Sequence, residues 1–156
     1  EKKIPEAPDR CLEFYRGLLA RFPKNEAVLW SFADYCEKRK LSNERANALK
    51  KLTEINPKSV AAHRLLASVY QDRNELDKAL EEYKKVVELM PNSAAVRVEL
   101  ASAYEKAGKT DDAIREYREA LRLDSQNALA QAALKRLEPR ASAPSDSQSS
   151  ESSSSK

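Results

Sequence analysis

Two stretches of the chain repeat each other: LASVYQDRNELDKALEEYKKVVELMP at residues 66–91 and LASAYEKAGKTDDAIREYREALRLDS at residues 100–125. They begin 34 residues apart, and the same spacing separates Pro23, Pro57 and Pro91. A gapless alignment of residues 60–93 with 94–127 has ten identical positions, mostly apolar or small: Ala61/Ala95, Leu66/Leu100, Ala67/Ala101, Ser68/Ser102, Tyr70/Tyr104, Asp77/Asp111, Ala79/Ala113, Glu82/Glu116, Tyr83/Tyr117 and Leu89/Leu123. A period of this length indicates a stack of structural repeats.

Each unit predicts two amphipathic helices joined by a tight turn. Apolar residues recur at three- and four-residue spacing over residues 65–70 and again over 79–90. Pro91 ends the second helix, because a proline disfavours helical geometry in the residue before it. Asn74 and Gly108 stand in the turns, where both residue types tolerate a left-handed backbone.

These units resemble tetratricopeptide repeats, a family with a 34-residue period. The resemblance rests on Leu66-Ala67-x-x-Tyr70…Ala79…Tyr83…Pro91 and Leu100-Ala101-x-x-Tyr104…Gly108…Ala113…Tyr117…Ala120. It implies an all-α fold, a right-handed α-solenoid of antiparallel helix pairs, in which small residues let two helices cross closely. It also implies a non-enzymatic adaptor or scaffold that binds a partner peptide or helix in a concave groove.

The resemblance covers about residues 9–138 and divides the chain. We expect a linker at 1–8, a half repeat at 9–25, full repeats at 26–59, 60–93 and 94–127, a capping helix at 128–138, and a disordered Ser-rich tail at 139–156. Residues 142–156 contain nine Ser and no aromatic or β-branched residue. They hold too little apolar surface to offset their ordering entropy. The tail is interpreted as a solubilising segment or, alternatively, as a phosphorylation-controlled one.

The repeat at 26–59 fits the pattern less well. Arg45 falls where the later units have Ala79 and Ala113, and a one-residue slip in the turn at residues 39–43 would bring Ala46 there instead. The segment from Phe14 to Glu37, with Trp30 and Tyr35, also resembles the half-a-tetratricopeptide (HAT) variety. That resemblance implies an alternative function as an RNA-processing scaffold.

Both ends of the solenoid need a cover, because a terminal repeat exposes a face that its neighbour would bury. Residues 9–22 read as a second helix without its first, with an apolar face of Leu12, Tyr15, Leu18 and Leu19. The chain starts at Glu1 rather than Met, so we expect a piece of a longer repeat array. Alternatively, the chain is an oligomerisation module whose N-terminal half repeat pairs with a copy or another domain.

The capping helix at the other end is expected to divide into two faces and to end before Pro139. One face covers the preceding helix pair, with Leu129, Ala130, Ala133, Leu134 and Leu137. The other faces water, with Gln131, Lys135, Arg136 and Glu138.

The composition argues against catalysis, metal binding and a membrane span. The chain has 2 Cys, 1 His and 2 Gly, too few for a four-ligand zinc site of Cys and His or for a glycine-rich phosphate loop. Cys11 and Cys36 fall on faces expected to be buried, and His63 is interpreted as a packing residue. No run of about 18 apolar residues exists. We expect no cofactor and a cytoplasmic protein, unless an upstream targeting signal was lost.

Nucleic-acid binding is also disfavoured. Residues 1–59 hold 13 basic and 9 acidic side chains, whereas residues 60–127 hold 11 basic and 13 acidic ones. A mild basic excess in one half falls short of the basic stripe that a phosphate backbone requires.

The resemblance places the groove on the first helix of each unit. The expected groove residues are Trp30, Asp34, Lys38, Arg64, Ser68, Gln71, Val98, Ser102, Glu105 and Arg136. Trp and Arg are enriched at binding hot spots, although Trp30 is open to a second interpretation as a core residue. One subclass of the family clamps the acidic tails of heat-shock chaperones with Lys, Asn and Arg. The corresponding positions here hold Trp30, Asp34, Leu65, Val98 and Ser102, so that clamp is absent.

Overall fold

The structure, a computed structural model, describes residues 10–141, with side chains described for residues 10–138. This range forms eight α-helices: α1 (Arg10–Arg21), α2 (Glu26–Lys38), α3 (Ser42–Ile55), α4 (Val60–Asp72), α5 (Leu76–Leu89), α6 (Ala94–Lys106), α7 (Thr110–Leu123) and α8 (Ala128–Ala141). The pairs α2/α3, α4/α5 and α6/α7 form three successive units, and each helix packs on its neighbours in the chain. The predicted linker at 1–8 and the tail from residue 142 lie outside the described residues.

The three units share one register without a slip, so the predicted one-residue shift in the turn at residues 39–43 is wrong. The left-handed turn residues are Lys40, Asn74 and Gly108, with φ of 57°, 59° and 72°. Each turn is closed by the same backbone hydrogen bond, which Leu41, Glu75 and Lys109 donate to Cys36, Tyr70 and Tyr104 at 2.8, 2.8 and 2.9 Å. The bond spans five residues, as in a Schellman cap. Lys40 accepts the left-handed conformation because the turn provides this bond.

The first helix of each unit also begins with the same kind of cap. The side chains of Asn25, Ser59 and Ser93 accept a hydrogen bond from the backbone N–H three residues later. This bond satisfies one of the donors that a helix start leaves without a partner, and it is worth about 1 kcal/mol. The second helices begin without a side-chain cap, so packing on the first helix defines their start.

Small residues occupy the places where the helices of a unit cross. Ala67 and Ala101 on the first helices, and Ala79 and Ala113 on the second, are all buried. In the first unit the position of Ala79 belongs to Arg45. Its side chain is 14% exposed and one terminal nitrogen lies 2.9 Å from Glu37 Oε1, whereas its Nε is buried without a hydrogen-bond partner.

The two ends of the described solenoid are formed by α1 and α8. Helix α1 has no buried residue and is held by Tyr15, whose ring lies 5.4 Å from Phe32 and 5.3 Å from Tyr35 between centroids. Helix α8 continues to Ala141, past the expected end at residue 138. A proline this close to a helix end removes one backbone hydrogen bond without ending the helix.

The expected division of α8 into two faces is confirmed except at one residue. Ala130, Ala133, Leu134 and Leu137 are buried. Leu129 is 70% exposed, so the expectation that it covers the preceding helix pair is wrong. The reason is its register, because Leu129 stands where the earlier first helices carry an exposed alanine.

The helix crossing in the second unit provides a stability test. Replacing buried Ala67 with Leu would force α4 and α5 apart, and we expect a loss of about 1–3 kcal/mol in the free energy of unfolding. The matched control is Ala61→Leu, on an exposed position of the same helix, with a change below about 0.5 kcal/mol. Urea titrations followed by circular dichroism measure both, and equal effects would contradict the crossing argument.

Candidate functional site

The first helices of successive units lie side by side and form one surface, here called the first-helix face. Side chains bridge these helices directly. Arg64 on α4 donates two hydrogen bonds to Glu99 on α6, the one from Nε at 2.9 Å. Lys106 Nζ on α6 lies 3.3 Å from Gln71 Oε1 on α4, and Arg136 on α8 lies 2.7 Å from Glu105 on α6. The face therefore runs continuously over α4, α6 and α8.

The predicted groove residues divide into two groups by exposure. Four are exposed: Asp34, Lys38, Arg64 and Arg136. Six are partly buried: Trp30, Ser68, Gln71, Val98, Ser102 and Glu105. Separate contacts link Arg64 and Gln71 on α4, and Arg136 on α8, to residues of α6, and one of these residues is the predicted Glu105.

Polar contacts beneath the face fix its side chains. Gln71 accepts a hydrogen bond from the Tyr83 hydroxyl at 3.4 Å, in addition to the one from Lys106. Burial raises the pKa of Tyr83, and Glu99 nearby adds to the shift. The pKa of Tyr117 is raised in the same way, chiefly by burial and then by Glu105. Both hydroxyls therefore stay protonated at neutral pH and serve as donors.

Trp30 and Val98 combine exposure with packing. Trp30 packs against the core cluster of the first unit, and Val98 against the cluster formed by α6, α7 and α8. The alternative interpretation of Trp30 as a packing residue is thus supported, since only part of its ring is left accessible.

Glu99 is a residue of the face that sequence reasoning missed. It stands in the register of Leu65, so comparison of aligned positions gave no reason to select it. The sequence signal that could have found Glu99 is its spacing from Arg64. The two opposite charges stand 35 residues apart, which is one repeat unit plus one residue and therefore a diagonal between adjacent first helices. The same diagonal joins Gln71 and Lys106.

The His63 ring is the one group in the described residues that resembles catalytic machinery. Its Nδ1 lies 2.5 Å from Glu82 Oε2, and its Nε2 lies 3.0 Å from the Pro57 carbonyl oxygen. Both nitrogens face an acceptor, so neither is available to act as a base. Beside it lies a cavity of about 300 Å³, whose lining includes Lys50, Thr53 and Lys85.

The repeat register explains this pair as structural. Position for position, His63 and Glu82 correspond to Arg97 and Glu116 in the next unit, which pair at 2.9 Å. The first unit has Leu29 and Ala48 there, both buried. The contact thus joins the two helices of a unit and is polar in two units and apolar in one. His63 is buried, which confirms the expectation of a packing residue, and its ring also contacts Glu82 and the Pro57 carbonyl through hydrogen bonds.

The two cysteines differ from each other. Cys36 is buried, as expected, and desolvation raises the pKa of its thiol to about 11, with Glu44 contributing to the rise. Cys11 is exposed, so its expected burial was wrong. It stands in the register of Ala79 and Ala113, but no first helix among the described residues covers it. Both thiols are free.

The described part of the chain lacks both a metal-binding cluster and a membrane-spanning helix. No group of three or more His, Cys, Asp or Glu side chains is placed to hold a metal ion. No helix within residues 10–141 combines the length and the apolar character needed to cross a bilayer.

Comparisons with known proteins agree with the repeat register. The tetratricopeptide repeat family model matches residues 58–126. The fold resembles that of MamA, with a TM-score of 0.71 at 20% identity over 81% of this chain and 74% of MamA. It resembles the first repeat domain of Spaghetti (RPAP3), solved bound to an HSP90 peptide, with a TM-score of 0.65 at 18% identity over 76% and 94%.

A third similar structure is the repeat domain of Arabidopsis OM64, with a TM-score of 0.62 at 20% identity over 74% of this chain and 95% of that one. No curated protein sequence matches the chain. The TM-scores of these three structures establish a shared fold, and at 18–20% identity they establish no more than the fold.

The His63–Glu82 pair generates a test of its structural role. His63→Leu leaves a buried carboxylate with only Lys85 as partner, and we expect a loss of about 2 kcal/mol in the free energy of unfolding. Glu82→Ala alone should cost a similar amount. The double variant recreates the Leu29–Ala48 pair of the first unit, so it should be more stable than either single variant. Additive losses in denaturant titrations would contradict this.

Proposed function

We propose that the protein is a non-enzymatic adaptor that binds a segment of a partner protein on its first-helix face, and the match of residues 58–126 to the tetratricopeptide repeat family model supports this proposal. Repeat modules of this kind serve protein–protein interaction, and their extended surfaces suit peptides and helices. The proposal names the face and the class of ligand, since the chemistry of a site varies widely on one fold.

The observation that carries the proposal is the set of ion pairs and hydrogen bonds that bridge the first helices. Arg64–Glu99, Lys106–Gln71 and Arg136–Glu105 hold long side chains in place before any ligand arrives. A ligand then orders few additional side chains, which lowers the entropic cost of binding.

The face also offers apolar and polar areas to one ligand. Apolar side chains lie toward the starts of the first helices, with Leu129 exposed and Trp30 partly so. Exposed charged side chains lie further along α2 and α8, among them Asp34, Lys38 and Arg136, while Arg64 adds a charge near the start of α4. An amphipathic segment with an apolar edge and a mixed-charge edge fits this division.

Binding of an acidic chaperone tail is not part of the proposal. The HSP90 peptide belongs to the RPAP3 structure, and the clamp positions in this chain hold other residue types. Asp34 in particular places a negative charge where an acidic tail would need a donor or a cation.

The test removes exposed anchors from the face and leaves the core intact. The variant Arg64→Ala, Leu129→Ser, Arg136→Ala changes three exposed side chains, and its surface ion pairs contribute about 1 kcal/mol or less each to stability. We expect affinity capture of partner proteins to fall about tenfold or more, since hot-spot truncations cost about 1 kcal/mol or more each.

The matched control is Arg115→Ala, Arg122→Ala, which removes two exposed arginines from α7, a second helix. Thermal unfolding must show that both variants are folded. Equal capture by the wild-type protein and the first-helix-face variant would contradict the proposal.

A further inference from the structure

We draw no further inference here: the strongest candidate, the apolar surface patch of α1 around exposed Phe14 with the groove that it forms against the start of α2, carries none because nothing in the structure shows what covers it.

Discussion

The structure depends on the close crossing of two helices within each unit. Ala67 crosses Ala79, and the equivalent Ala101 crosses Ala113, all buried. Because the backbones approach at these points, large side chains pack around them: Leu80 and Tyr83 of one unit share a core cluster with Ala67 and with Leu100 of the next unit. Close packing of this kind tolerates neither cavities nor added bulk, since protein interiors are packed as densely as organic crystals. The 34-residue period follows from repeating this crossing with one turn geometry.

The first unit shows how far the crossing can vary. Arg45 occupies the place of Ala79, with its guanidinium near Glu37 and its Nε buried without a partner. The register nevertheless holds, because Lys40 adopts the left-handed turn and the Leu41–Cys36 backbone bond closes it. Turn geometry therefore outweighs the residue at the crossing in setting the helix boundaries. The alignment of Arg45 with Ala79 suggested a one-residue slip because a sequence comparison matches side chains and contains no information on the backbone conformation of the turn.

Periodicity and the prolines predicted the helix pairs, their order and most of the core. The misses have local causes. Cys11 and Leu129 have the sequence character of buried residues, but no first helix among the described residues covers Cys11, and Leu129 takes the register position of the exposed alanines of the earlier first helices. The predicted groove residues could be selected one by one from the register. Their pairing could not, because the Arg64–Glu99 and Lys106–Gln71 contacts run diagonally between units, and one-to-one alignment does not compare such positions.

One position within the units also determines which helices can pair. At one contact between the two helices of a unit, the chain uses Leu29 with Ala48, His63 with Glu82, and Arg97 with Glu116. Exchange of the first helices of the first and second units would place Leu29 against Glu82 and bury a carboxylate without its basic partner, at a cost of several kcal/mol. Exchange between the second and third units would still place a basic residue against an acid, so these pairs oppose misregister only between the first unit and the other two.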